Sequence, residues 1–349
     1  MARTWSVLRD GLVPLILFSG LVLGAKHFIF GHLHESGLDK HLANACSPQS
    51  TTITHYRLSY VGHGTTDAIL CPLVTFFHRA FSVPDALSGL AYFLGVGGPL
   101  IAIPSVESWR TGRSVLIAYP VIYGLLSQTL TVGLVYPIYW LIFILSGSAN
   151  TGRGGGRPED AKITQGHAEA IIFGLLVGAV VPTVGMLVLD DPVVTAMWQP
   201  YPAYVSLAQY AHLALRPASK HSDSGYKTIR FLYLALFMIS SSVHISTIWP
   251  LISKDLTTIQ RLFLPTISSP TRSTEAGLRV LHFLKWDLTF GLSAAMFATL
   301  WFARDLTESV ALVAWNVTVT VALGPGAALA GAALWRESSL QPITKVKAT

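Results

Sequence analysis

Four acidic residues lie inside or at the edge of long apolar segments, where an ionisable group is costly to place. They are Asp67, Glu107, Glu169 and Asp287. A carboxyl group held away from water can stay protonated and then donate its proton to a weakly basic partner. These four residues are therefore the candidate catalytic acids, and the competing interpretation of each is a hydrogen-bonded or ion-paired group with a purely structural role.

Asp287 is our first choice for the proton donor. It follows Trp286 about two turns into an apolar segment that begins near residue 280. Its structural alternative is an ion pair with Lys285, with Arg279 or with another helix.

Asp67 opens a stripe at helical spacing that continues through Cys71, Thr75 and His78. Such a polar stripe is expected to face the interior of a helix bundle rather than lipid. Asp67 is therefore a partner or a reserve donor for Asp287, or a buried hydrogen-bonded residue.

The other two acids have simpler structural alternatives. Glu107 precedes Arg110 by one turn, as in an ordinary helix-end pair. Glu169 falls in the first turn of its segment, where an acid complements the helix dipole. Both are candidates because of their expected burial, and Glu169 is a second possible partner for Asp287.

Aromatic residues are abundant, with 9 Trp, 12 Tyr and 16 Phe. Interfacial belts account for many of them, but those deep in a bundle can line an apolar cavity and stabilise carbocations through their ring faces. The candidate substrate-binding residues are Tyr123, Gln128, Tyr136 and Trp286.

No motif predicts a metal or another cofactor. The 12 histidines form no HExxH pattern. The pair Asp190 and Asp191 lacks the further aspartates of a diphosphate-binding or protonating motif, so we expect a loop or a helix terminus there.

Cys46 in a polar loop and Cys71 in an apolar segment predict neither a disulfide framework nor a metal site, and Gly154 to Gly156 predict a flexible linker.

Composition predicts the fold class. Of the 349 residues 51% are hydrophobic and 12% are charged, about half the charged fraction of an ordinary soluble domain. We expect one integral membrane domain over residues 1–349, an all-α polytopic bundle of about eight spans, with seven to nine in range. The predicted spans are 11–30 (an uncleaved signal anchor), 64–83, 86–106, 114–146 (tilted and kinked at Pro137), 167–189, 193–215, 229–252, 280–303 and 308–334.

Charge at the termini bears on orientation and location. Arg3 and Arg9 favour a cytosolic N terminus. Lys345 and Lys347 resemble a dilysine retrieval signal, which predicts the endoplasmic reticulum and a cytosolic C terminus. Both together require an even number of spans, so either 64–83 or 193–215 is expected not to cross. The net charge is +6, and the 24 Lys and Arg residues are scattered through short loops. This distribution favours lipid headgroups over nucleic acid as partners.

Three segments resemble the fungal membrane-bound terpene cyclases of meroterpenoid biosynthesis, the group that contains the ascofuranone and macrophorin cyclases. They are residues 67–81 (DAILCPLVTFFHRAF), 124–143 (GLLSQTLTVGLVYPIYWLIF) and 282–301 (HFLKWDLTFGLSAAMFATLW). The resemblance implies an enzyme that protonates an alkene or an epoxide of a prenyl chain, typically of farnesyl type, and cyclises it without metal or diphosphate. It further implies that the acids within the matching segments, Asp67 and Asp287, take part.

Two other classes fit the same features. A transporter of a small hydrophobic molecule also needs buried acids, although we find no internal symmetry between the halves of the chain. A sterol-type double-bond isomerase also surrounds a cation with a carboxylate and aromatic rings, but it returns an uncyclised product. A scaffold protein would leave Asp67 and Asp287 unexplained.

Overall fold

The computed structural model of the protein describes residues 8–47, 56–150, 158–252 and 256–341. Within these ranges the named secondary-structure elements are all helical, which confirms the predicted all-α class. The predicted linker at Gly154 to Gly156 and the dilysine residues Lys345 and Lys347 lie outside the described residues.

The main helices are numbered in chain order. They are α1 Leu8–Glu35, α2 Leu38–Cys46, α3 Gly64–Phe81, α4 Pro84–Ser108, α5 Pro120–Leu130, α6 Val132–Leu145, α7 Gln165–Leu189, α8 Pro192–Trp198, α9 Tyr201–Leu215, α10 Tyr226–Ile252, α11 Leu256–Phe263, α12 Ala276–Thr299, α13 Leu306–Leu323 and α14 Pro325–Ser339.

Five helices in the described residues are long and apolar enough to cross a membrane, namely α1, α4, α7, α10 and α13. A helix satisfies its own backbone hydrogen bonds, which is why apolar segments of this length fold as helices in lipid.

We call the end of the bundle where α1 begins the first end and the end where α1 finishes the second end. At the first end Trp301 donates to the backbone oxygen of Arg9 at 3.0 Å, and at the second end Arg279 donates to that of Ser36 at 2.9 Å. Helix α12 therefore runs antiparallel to α1.

The predicted span 114–146 is not one kinked helix. The chain reverses at Thr131, and the rings of Tyr123 on α5 and Tyr139 on α6 lie 5.0 Å apart, centroid to centroid. A continuous helix would hold these two residues about 24 Å apart at 1.5 Å per residue. Helices α5 and α6 thus form a hairpin with both outer ends at the first end of the bundle. Pro137, where the kink was expected, lies inside the unbroken α6.

The predicted span 308–334 is also a hairpin, formed by α13 and α14. Its turn is at Gly324, with φ 96° and ψ 159°, close to the φ 77° and ψ 151° of Thr131. Across the hairpin Trp315 donates to the backbone oxygen of Ala328 at 3.0 Å. The two breaks share one backbone conformation, which glycine adopts readily and threonine does not.

The predicted spans 193–215 and 64–83, one of which was expected not to cross, occupy different positions in the bundle. Helices α8 and α9 run back along α7, with Trp198 donating to Thr183 at 2.9 Å. Helix α3 lies at the second end, where a disulfide joins its Cys71 to Cys46 of α2. The prediction that these cysteines form no disulfide was wrong, because α2 folds back onto α3 and the intervening chain gives no signal of that contact.

Candidate functional site

Asp287 lies near the middle of α12 and is 6% exposed. Its Oδ1 accepts a hydrogen bond from the backbone N–H of Gly133 at 2.5 Å. Gly133 is in the first turn of α6, where backbone N–H groups have no partner within the helix. The carboxyl group therefore satisfies a helix terminus that the hairpin places inside the bundle.

Close packing at this point requires glycine. A Cβ on Gly133 would lie 3.0 Å from Asp287 Oδ1 and 2.8 Å from the Ile29 side chain on α1. The Thr131 hydroxyl accepts from the Leu134 N–H at 3.4 Å and caps the same helix. The Asp287 carboxyl group of α12 therefore packs directly against the first turn of α6, next to α1.

An aromatic cluster contains Trp286, the residue before Asp287 on α12. Trp286 stacks on Phe28 at 4.2 Å between centroids and lies 5.6 Å from Phe290. The Trp286 Nε1–H donates to the backbone oxygen of Thr266 at 3.2 Å, which fixes the ring. Of these residues only Trp286 was predicted from the sequence, since the others become its neighbours only through helix packing.

A narrow cleft lies on another side of the α5–α6 hairpin, between the hairpin, α4 and α9. It encloses about 30 Å³ accessible to water, room for about one molecule. Four tyrosines line it, namely Tyr123, Tyr136, Tyr139 and Tyr201. Two of them, Tyr123 and Tyr136, are predicted substrate-binding residues, whereas Gln128 and Trp286 do not line this cleft.

Glu107 is buried as expected, but in a network of four charges. It pairs with Arg110 at 3.0 Å and with Arg336 at 3.2 Å, and Arg110 also pairs with Glu337. All four residues are at most 3% exposed. Two guanidinium groups hold the Glu107 carboxylate, so this acid is poorly suited to deliver a proton.

The other two predicted acids lie near solvent. Glu169 is half-buried and pairs with Arg216 at 2.8 Å, at the first end of the bundle. Asp67 is half-buried at the start of α3 and accepts from the N–H of Val61 at 2.9 Å in the preceding loop. The rest of its predicted stripe, Cys71, Thr75 and His78, is buried. The structure brings neither acid to Asp287.

Two histidine contacts were not predicted. His32 and His282 are buried and hydrogen-bonded to each other at 2.9 Å. His78 lies 3.2 Å from the Asp190 carboxylate. Asp190 ends α7 and Asp191 caps α8 through Val193 and Val194, which confirms that the aspartate pair marks helix termini. Within the described residues no three His, Cys, Asp or Glu side chains are placed to hold a metal ion.

Comparison with known proteins gives the following relatives. The family model described as CtvD domain matches residues 13–340. Terpene cyclase ascI of Acremonium egyptiacum is 28% identical over 264 residues, which cover 69% of this chain and 66% of that protein. Terpene cyclase janA of Penicillium janthinellum is 29% identical over 254 residues, 68% of this chain and 67% of that protein. The FAD-dependent monooxygenase verC1 of Penicillium polonicum is 25% identical over 264 residues, 70% of this chain and 31% of that protein.

The matched region thus spans about two thirds of the two terpene cyclases and about a third of the monooxygenase. No solved structure matches this chain.

Proposed function

Since this chain belongs to the CtvD domain family, we propose that it is an integral membrane terpene cyclase that protonates the prenyl chain of a meroterpenoid and cyclises it through carbocations. Its relatives named terpene cyclase support the cyclase activity. The prenylated substrate, the start by protonation and the independence from metal are our extension of that similarity.

One observation carries the choice of Asp287 as the acid. Of the four predicted acids, Asp287 combines burial with the absence of an ion pair to any described residue. Removal from water disfavours the charged form of a carboxyl group, and no guanidinium or ammonium group offsets that cost here. A neutral carboxylic acid is what protonation of a weak base requires.

The two oxygens of Asp287 have different roles in the proposed reaction. Oδ1 remains hydrogen-bonded to the Gly133 N–H, and the other oxygen carries the proton that is delivered. When the proton bonds to an epoxide oxygen, the C–O bond opens and the electrons of a neighbouring alkene form the first ring bond. The rings of the cluster that contains Phe28, Trp286 and Phe290 stabilise the cations in this proposal, and proton loss from the last cation completes the reaction.

The starting group is an epoxide rather than a simple alkene in this proposal. The relative named as an FAD-dependent monooxygenase contains a region similar to this chain within a protein about three times the length of that region. A flavin monooxygenase can add an oxygen atom to an alkene, so the two reactions would follow each other. An epoxide is also the stronger base of the two groups.

We place the enzyme in the endoplasmic reticulum membrane, with the second end of the bundle in the lumen. Disulfides persist in oxidising compartments, and Cys46–Cys71 lies at the second end. The first end is then cytosolic, in agreement with Arg3 before α1 and Arg9 in its first turn. In this arrangement α1, α4, α7, α10, α12 and the α8–α9 pair cross the membrane. Helix α13 is long enough to span it but reverses at Gly324, so the α13–α14 hairpin, like the α5–α6 hairpin, enters from the cytosolic side.

The experiment that tests this function uses microsomes that contain the protein, with a farnesylated hydroquinone and its terminal epoxide as substrates. Mass spectrometry follows products of unchanged mass with fewer double bonds, in water and in deuterium oxide. An epoxide that cyclises without gaining carbon-bound deuterium supports the proposal. Carbon-bound deuterium from the alkene substrate would instead show alkene protonation.

The matched variants are Asp287→Asn and Glu169→Gln. Asparagine keeps an oxygen for the Gly133 N–H but cannot donate the acid proton, so D287N should lose turnover while the protein level in the membrane is unchanged. E169Q alters the half-exposed pair with Arg216 and should keep activity. An active D287N enzyme would exclude Asp287 as the donor.

A further inference from the structure

The tyrosine cleft contains hydroxyl groups without protein partners. Of its four tyrosines, Tyr123 donates to the backbone oxygen of Leu116 at 2.9 Å. The Tyr139 hydroxyl is buried and has no hydrogen-bond partner. Within the part of the chain that the structure describes, the hydroxyls of Tyr136 and Tyr201 make no hydrogen bond either.

Such groups are uncommon in a folded protein, because a buried polar group without a partner is destabilising. The Tyr139 hydroxyl is such a group, and Tyr136 and Tyr201 line the same cleft, so the three hydroxyls together indicate a partner that all of them can share. Each tyrosine can donate one hydrogen bond, so the partner must offer acceptor atoms. The remaining lining is largely apolar, with Ile101, Pro104, Val121, Pro202 and Val205 among the residues, which favours a neutral ring that carries oxygens over a charged group.

The cleft and the acid share helix α6. Gly133, which binds Asp287, and Tyr139 are separated by six residues, or about 9 Å along the helix axis. Tyr136 lies between them, one turn from Gly133. Because the cleft lies on another side of the hairpin, a prenyl chain attached to a molecule in the cleft must pass around α6 to reach Asp287.

We propose that this cleft binds the oxygen-bearing head group of the substrate, with Tyr136, Tyr139 and Tyr201 donating hydrogen bonds to its ring oxygens. The inference rests on the proposed function, because it takes the prenyl tail to react at Asp287. It makes these tyrosines positioning residues that determine which head groups are accepted. Since the cleft holds only about one water molecule, the hairpin and α9 must separate when the head group enters.

The test compares two substrates with the same tail. One is the epoxide of a farnesylated hydroquinone and the other is the epoxide of farnesylbenzene, which has no ring oxygen. The variants are Tyr136→Phe, Tyr139→Phe and Tyr201→Phe, with Tyr210→Phe as the control on the exposed side of α9. Each cleft variant should raise KM for the hydroquinone about 3- to 10-fold, with little change in kcat and none in the KM for farnesylbenzene.

A second measurement does not need turnover. A hydroquinone with a fully saturated tail cannot cyclise, and its binding to the purified protein in detergent should raise the melting temperature. The rise should be smaller in the three cleft variants than in the wild type and Y210F. In the absence of ligand these variants should melt no lower than the wild type, since each removes a hydroxyl that lacks a partner.

The outcomes separate the two proposals. An unchanged KM and an unchanged ligand-induced stabilisation in all three variants would overturn the head-group site, whatever the result for Asp287. If the saturated analogue stabilises the wild type but not the variants while no substrate is cyclised, the head-group site stands and the cyclase function fails.

Discussion

Asp287 and Gly133 hold each other in place, through the 2.5 Å hydrogen bond from the Gly133 N–H to Asp287 Oδ1. The bond joins the middle of α12 to the beginning of α6. It supplies a partner for a helix terminus that would otherwise be unsatisfied inside the bundle. The residue proposed as proton donor therefore also stabilises the hairpin.

These two roles can be separated with Asp287→Asn and Asp287→Ala. Asparagine retains an acceptor for Gly133, whereas alanine leaves the buried N–H without one. We expect both variants to be inactive and the alanine variant to lose about 1–3 kcal/mol more stability. Thermal unfolding in detergent measures the difference, and equal melting temperatures would show that the hydrogen bond contributes nothing to the fold.

The turns of the two hairpins should respond in opposite directions to substitution. Thr131 adopts a conformation that costs a non-glycine residue about 1–3 kcal/mol. Loss of its hydroxyl cap on α6 costs only roughly a few tenths of a kcal/mol when glycine takes its place, so Thr131→Gly should raise the melting temperature. Gly324→Ala should lower it, because the residue has φ 96° and a Cβ would lie 2.7 Å from His244. Thermal unfolding of both variants checks this, and a stabilised G324A would contradict the described turn.

Replacement of Glu107 should reduce stability rather than alter the chemistry. Glu107→Gln leaves Arg110 and Arg336 buried with an excess of positive charge, and loss of one partner from such a network costs about 3–5 kcal/mol. Glu169→Gln is the control, because its half-exposed pair with Arg216 contributes about 0–1 kcal/mol. We expect a lower yield of E107Q with normal turnover per folded molecule. Normal yield with no turnover would instead make Glu107 catalytic.

His41 should make the second end of the bundle sensitive to acid. Burial lowers the pKa of His41 from 6.5, and the positive charges of Arg79 and Arg279 lower it further. The folded state therefore binds the proton on His41 less readily than the unfolded state. As a result His41 does not reduce the free energy of unfolding above pH 6.5, and it reduces that free energy increasingly as the pH drops below that value. His41→Gln should reduce the loss of melting temperature between pH 7.5 and pH 5.5, and an identical loss in the variant would exclude this contribution.

The sequence by itself determined the class of structure. Apolar segments of membrane-spanning length can satisfy their backbone only as helices, so the helices of the bundle follow from composition and spacing. The burial of Asp287 and Glu107 also followed, because each lies within or at the end of such a segment. The candidate acids could be named from these facts, but their different surroundings could not.

Tertiary structure decided what each acid can do. Glu107 is neutralised by Arg336 from the far end of the chain, whereas Asp287 meets the backbone of Gly133 and no charged partner among the described residues. The hairpin that creates this contact turns at Thr131, a residue whose type gives no local signal for a left-handed break. The contact between Cys46 and Cys71 depends in the same way on how α2 packs against α3. Apolar periodicity specifies which segments become helices, but the direction of each helix and the partner of each polar group depend on contacts between residues distant in the chain.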